Sequence, residues 1–243
     1  MEHNDSPAAL PLNLIARVGA AVALLLVCAA FSVAQAHTPA ANERLLKQRL
    51  PVAVKVTVPE AISRIRRWQT FIARTRHKSA TDKLRAVNDY FNALRFVEDM
   101  SLWRTPDYWA TPLQVLAAGG GDCEDLAIAK YFTLKTLGIA DGRLRLTYVW
   151  NHDTLSGRRE PHMVLTYLAS AGAEPLVLDI LTGDIRTLAQ RKELEPVYGL
   201  NAEGLWLVGN DARAIPAGSP AQLPQWRRLS RAMDSDAALL RKQ

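Results

Sequence analysis

Gly119-Gly120-Gly121-Asp122-Cys123-Glu124-Asp125-Leu126-Ala127-Ile128-Ala129-Lys130-Tyr131-Phe132 sets a cysteine between a Gly-rich turn and an apolar-patterned helix. Cysteine attacks as thiolate, and the partial positive charge of a helix N-terminus favours that form. The stretch therefore reads as the seat of a nucleophile, against the plainer alternative of a buried structural thiol. Ala127, Ile128, Tyr131, Leu134 and Leu137 form the inward side of this helix, and Gly138 is its stop. Such a helix belongs at the centre of a core.

Upstream, Ile62, Ile65, Trp68 and Ile72 recur at helical spacing. Leu84, Val87, Tyr90, Phe91 and Leu94 do the same after a break at Ser79-Ala80-Thr81, which predicts two packed amphipathic helices. The first carries Arg64, Arg66, Arg67, Arg74, Arg76 and Lys78, a solvated face or a surface for an acidic partner. Asp107-Tyr108-Trp109-Ala110-Thr111-Pro112 leads to the Gly-rich turn, with Thr111 placed to cap a short helix opened by Pro112. Downstream, three runs rich in branched or aromatic residues predict an antiparallel sheet: Arg143 to Trp150, His162 to Leu168 and Pro175 to Leu181. Gly204 to Val208 adds a further strand. Helices first and strands after is an α+β order.

The first 36 residues read as an export signal: Arg17, the uncharged apolar stretch Val18 to Val33, and the small-x-small site Ala34-Gln35-Ala36. An uncleaved anchor is the alternative, because the run approaches the ~20 residues that span a bilayer. The reading divides the chain into a signal at 1–36, a single α+β domain at 37–211 and a Pro/Ala-rich, basic tail at 212–243, taken as weakly packed. A net charge of +6 suits an acidic partner or surface without naming one. No nucleic-acid motif is present, and 49% hydrophobic content is ordinary for a packed globular protein. The chain has two cysteines, one of them Cys28 inside the signal, so the exported protein keeps Cys123 alone and forms no internal disulfide.

A thiol nucleophile needs a base and a group that orients the base. His37, His77 and His152 are most simply solvated, whereas His162 opens a strand directly after Pro161. If the hairpin turn is centred between Ala171 and Gly172, His162 lies opposite Leu181 and diagonal to Asp179 on the same face. A slip of one residue would put Asp179 on the other face. Asp179 ends the apolar run Pro175-Leu176-Val177-Leu178, and its alternative role is to cap the turn at Thr182-Gly183.

The order of cysteine on a helix start, histidine on a strand and aspartate on the next is that of transglutaminase-like and papain-like cysteine enzymes. With Asp107 to Pro112, Gly121-Asp122-Cys123-Glu124-Asp125, Ala127 to Tyr131, His162-Met163-Val164-Leu165 and Glu174 to Asp179, the chain resembles the bacterial transglutaminase-like cysteine proteinases of the LapG type. The resemblance covers roughly Leu84 to Val208. It implies a papain-like or transglutaminase-like core, N-terminal helices and a central Cys-bearing helix packed on an antiparallel sheet. Cys123 is then the nucleophile, His162 the base and later the acid, and Asp179 the orienting carboxylate. The Cys123 N–H and an indole of Trp103 or Trp109 are the oxyanion donors to look for.

The implied activity is that of a periplasmic, calcium-dependent endopeptidase. It would cleave a large surface adhesin near its N-terminus at paired alanines and release biofilm cells, restrained by an inner-membrane cyclic-di-GMP receptor. An acyltransferase and a non-catalytic binding module are the alternatives. The acids beside Cys123 would raise its pKa by repulsion, unless a cation offsets them. On their own they read as acids complementing a helix dipole. Under the resemblance, Asp122, Glu124 and Asp125 become ligands of Ca²⁺.

Overall fold

The computed structural model describes residues 56–152, 157–170, 172–208 and 214–241, with side chains to residue 236. The expected export signal at 1–36 lies outside these residues. Helix α1 (Val58–Thr75) starts with a capping box between Thr57 and Glu60 and buries Ala61, Trp68, Ile72 and Thr75. Helix α2 (Ala80–Asn92) is capped by Ser79 and buries Leu84, Val87, Asn88 and Phe91. Both fall where the apolar spacing puts them. The basic face of α1 is not wholly solvated, since the Arg64 guanidinium donates to the carbonyls of Leu116 and Ala117 and closes the end of another helix.

That other helix, α4 (Pro112–Ala118), follows strand β1 (Arg95–Phe96) and the single turn α3 (Asp99–Leu102). Thr111 caps it, and it stops at Gly119, whose φ of 75° is left-handed. Strand β2 (Gly120–Gly121) then pairs in parallel with β1, Arg95 with Gly120 and Phe96 with Gly121. Glycine is required here. A Cβ on Gly120 would strike the Arg95 carbonyl, and one on Gly121 would lie 2.6 Å from the Asp125 Cβ.

Helix α5 (Cys123–Thr136) is capped by Asp122 and buried on every side, with Leu126, Ala127, Ile128, Ala129, Tyr131 and Leu134 in the core. It ends in a Schellman turn at Gly138: the Ile139 N–H donates to the Leu134 carbonyl and the Gly138 N–H to that of Lys135. It packs against α2 and α4 and against the sheet. The Trp68 indole N–H donates to Thr133 Oγ1 at 3.0 Å and joins α1 to the same helix.

The sheet has seven antiparallel strands in the order β6-β5-β4-β3-β7-β8-β9. They are β3 (Leu144–His152), β4 (Arg159–Tyr167), β5 (Leu176–Leu178), β6 (Arg186–Thr187), β7 (Leu194–Leu200), β8 (Leu205–Val208) and β9 (Ala214–Gly218). Leu165 pairs with Leu178 and Tyr167 with Leu176, the register of a turn centred between Ala171 and Gly172. The fold is α+β with a papain-like, transglutaminase-like arrangement.

Three parts of the sheet differ from the expectation. Strand β5 ends at Leu178, so Asp179 is the first residue beyond the ladder. Strand β7 escapes a pattern reading because Pro196 and Gly199 interrupt it, and its pairing with β3 shifts register at Tyr148/Val149 beside that proline. Strand β9 tolerates Pro216 as the edge of the sheet.

The segment taken as a weakly packed tail departs further. Beyond β9, helix α6 (Pro224–Arg241) buries Trp226 and Leu229 in the main core, and Asp236 accepts from Thr111 Oγ1 at 2.9 Å. Its apolar stripe is short and set among arginines and serines, so composition conceals it. Among the described residues no helix is long and apolar enough to cross a membrane.

Candidate active site

Cys123 is the first residue of α5, where backbone N–H groups have no helical partner. Its thiol is partly buried and donates to Glu124 Oε2 at 2.7 Å. Burial, followed by the charge and hydrogen bond of Glu124 and the charge of Asp122, pushes the thiol well above its usual pKa, while the Met163 N–H beside the sulfur pulls it down. That N–H belongs to the peptide following His162. The Cys123 thiol thus lies against the start of β4's buried run.

His162 and Asp179 meet as the assumed register requires, Nε2 to Oδ1 at 2.7 Å, both buried. Asp179 also accepts from the Leu181 N–H at 3.1 Å, and its Oδ2 accepts from Arg191 at 2.6 Å. Burial alone would raise the Asp179 carboxyl, but His162, Arg191 and the Leu181 N–H together hold it below the usual carboxylate range. A lowered folded value contributes stability that is whole above about pH 4 and is lost only as pH falls through the folded value.

Arg191 went unnoticed in the sequence because Gln190-Arg191-Lys192-Glu193 reads as a solvated charge run; in the fold it is 4% exposed and bridges Asp179 and Glu193. Arg191→Met is expected to cost about 3–5 kcal/mol of stability, the usual effect of stranding one member of a buried pair. Urea denaturation near neutral pH checks this, and a loss under 1 kcal/mol would show the pair to be dispensable.

Two of the acids beside Cys123 belong to a cluster of three. Carboxylate oxygens of Asp99, Asp122 and Asp125 lie within 4.8 Å of one another. Of the three acids expected to hold a metal, Asp122 and Asp125 are in this cluster. Glu124 is not: its carboxylate is taken by the thiol, although its charge acts on the other three. Asp99 was missed because it stands far upstream in sequence, and the parallel pairing of β1 with β2 brings it alongside Asp122. The acidic pair Glu98-Asp99 was the only signal available.

Burial and then the neighbouring charges push the Asp122 carboxyl up to about 10, and burial lifts Asp99 to about 6. Asp99 Oδ1 is buried without a hydrogen-bond partner. Three crowded carboxylates with an orphaned oxygen are the donor set of a hard divalent cation. The aromatic segment wraps this cluster: the Tyr108 N–H donates to Asp99 at 2.5 Å and the Ala110 N–H to Asp125 at 2.7 Å.

The two tryptophans considered as oxyanion donors are already engaged. Trp103 Nε1 donates to Asp125 Oδ2 at 3.3 Å and Trp109 Nε1 to Asp107 Oδ1 at 3.0 Å. Tyr148 stacks on Tyr198 with 5.2 Å between ring centroids, and the charges of Glu124 and Cys123 raise its phenol, after burial. These rings form an aromatic wall near the thiol.

A helix-seated cysteine lying against a strand that carries a histidine bonded to aspartate is an arrangement shared by cysteine enzymes of transglutaminase-like fold. The chain belongs to the bacterial transglutaminase-like cysteine proteinases: the family's sequence profile matches residues 64–193. Among solved structures it is similar to Legionella pneumophila LapG after EGTA treatment, at 34% identity and a TM-score of 0.64, covering 79% of this chain and 95% of that one. Calcium-bound Legionella pneumophila LapG matches at 33% identity and a TM-score of 0.63, covering 79% and 99%. No curated protein matches.

Proposed function

We propose that the protein is an exported, calcium-dependent cysteine endopeptidase using Cys123, His162 and Asp179. The observation that carries this is the buried His162–Asp179 bond set beside the peptide against which Cys123 rests. With Nε2 engaged by Asp179, Nδ1 is the imidazole nitrogen available to the thiol. His162 takes the thiol proton as sulfur attacks the peptide carbonyl, then delivers it to the departing amine. Water hydrolyses the thioester, its proton passing to His162 and then to the sulfur. The Cys123 backbone N–H is the donor for the developing oxyanion. Asp179 fixes the imidazole and stabilises its charged form.

Asp99, Asp122 and Asp125, with Glu124 at their margin, would hold the calcium ion. When bound, it supplies positive charge that offsets the acids opposing a thiolate at Cys123. The orphaned Asp99 oxygen and the similarity to a calcium-bound LapG support this.

The substrate proposed is a large surface adhesin, cut near its N-terminus at paired alanines so that biofilm cells are released. An inner-membrane cyclic-di-GMP receptor is proposed to sequester the enzyme in the periplasm. Family membership and the sequence of residues 1–36 support this reading. The test is to incubate the protein lacking residues 1–36 with the N-terminal region of a surface adhesin from the same cell, with Ca²⁺ or EGTA, and to weigh the products. Two fragments with Ca²⁺ and none in EGTA are expected. Gln-linked adducts would make the protein an acyltransferase, and an inert mixture would make it a binding module.

A further inference from the structure

Lys130 is the buried charge that this chemistry leaves unused. It is 0% exposed on α5, two turns beyond Cys123, and has no ion pair among the described residues. Its Nζ donates to Asn88 Oδ1 at 2.8 Å. Burial lowers the ammonium to about 7, against which the nearby Asp179 charge works. A core filler of that length would be a methionine, which carries no desolvation cost.

Asn88, itself fully buried on α2, turns its Nδ2 to the Gly183 carbonyl at 3.2 Å. One turn on, Asn92 Nδ2 donates to the Asp179 carbonyl at 2.8 Å and the Thr182 carbonyl at 3.3 Å. These side chains therefore hold both ends of the loop 179–183. That loop begins where strand β5 has stopped pairing, so ladder hydrogen bonds do not fix the Asp179 backbone. The same loop supplies the Leu181 N–H to the Asp179 carboxylate.

We propose that Lys130, through Asn88 and beside Asn92, is a positioning residue that clamps the 179–183 loop to the nucleophile's helix and so aims Asp179 at His162. The proposal rests on the assignment of Asp179 as the orienting carboxylate. Cys123 and Asp179 then hang from one continuous connection, α5 to α2 to the loop.

The experiment compares wild-type protein with Lys130→Met, Asn88→Ala, Asn92→Ala and the Lys130→Met/Asn88→Ala pair. It reads kcat, KM, Tm and the NMR signal of the proton shared by His162 and Asp179. Lys130→Met is expected to keep Tm within a few degrees of wild type, since relief of the buried ammonium offsets the Asn88 Oδ1 left without its donor, and to leave KM unchanged, while kcat falls roughly 10- to 100-fold, the scale of a misplaced catalytic group. The shared-proton signal broadens or shifts. The pair should be no worse than Lys130→Met alone, because the two act in series.

Wild-type kcat with an unmoved proton signal in Lys130→Met overturns the proposal. Should that variant fail to fold, the same result in Asn92→Ala overturns it. Asp179→Asn separates the two failures. If it is inactive while Lys130→Met is normal, only the clamp falls; if it is fully active, the assignment beneath it falls too.

Discussion

Cys123→Ala is expected to lower peptide cleavage by roughly ten-thousand-fold or more, with Tm within a few degrees of wild type. In the proposed mechanism the sulfur is the atom that forms the acyl bond, and its loss leaves only substrate binding and oxyanion donors. Alanine fits the site because the thiol gives up only its contacts with Glu124 and the Met163 N–H, and Cys123 is the first residue of α5, outside its packed centre. His162→Ala should cost about as much, and the double variant little more, since residues acting as a unit are not additive. Residual cleavage at the wild-type rate in Cys123→Ala, measured by mass spectrometry of the products, would remove the nucleophile assignment.

Calcium is expected to raise thermal stability independently of any activity. At about a hundred times its dissociation constant, a ligand bound by the folded state alone adds about 2.7 kcal/mol. For a domain of this size that is a Tm increase of roughly 5–10 °C. Asp99→Asn and Asp122→Asn should each abolish the increase, because the cluster then offers two carboxylates instead of three. Magnesium should do less, since it sheds water reluctantly and demands tighter geometry. An identical Tm in calcium and in EGTA for the wild-type protein would exclude the metal site.

The legible parts of the sequence were those with local physical signatures. The break at Ser79, the cap at Thr111, the helix start at Pro112 and the glycine stop at Gly138 are each set by backbone groups within a few residues, so sequence order reveals them. The pairing of His162 with Asp179 was legible once a register was assumed for the hairpin, since register fixes which side chains share a face. Strand β7 was obscured by Pro196 and Gly199, and α6 by the composition of the segment around it.

The residues missed at the site share another property. Asp99 reaches the acidic cluster through the pairing of β1 with β2, and Arg191 reaches Asp179 from a short turn beyond β6. Both contacts join segments that no periodicity links. The reading of Trp103 and Trp109 as oxyanion donors met the same limit: only the folded arrangement shows that carboxylates already occupy their N–H groups.

The sequence by itself determined the α+β order, the seat of Cys123 at a helix start and, once a hairpin register is assumed, the approach of His162 to Asp179, because capping, helical spacing and hairpin register are short-range constraints. The tertiary structure decided which carboxylates gather and what Asp179 leans on. Those are consequences of burial, where an unpaired charge is costly and its partner is supplied by whichever segment the fold brings within reach.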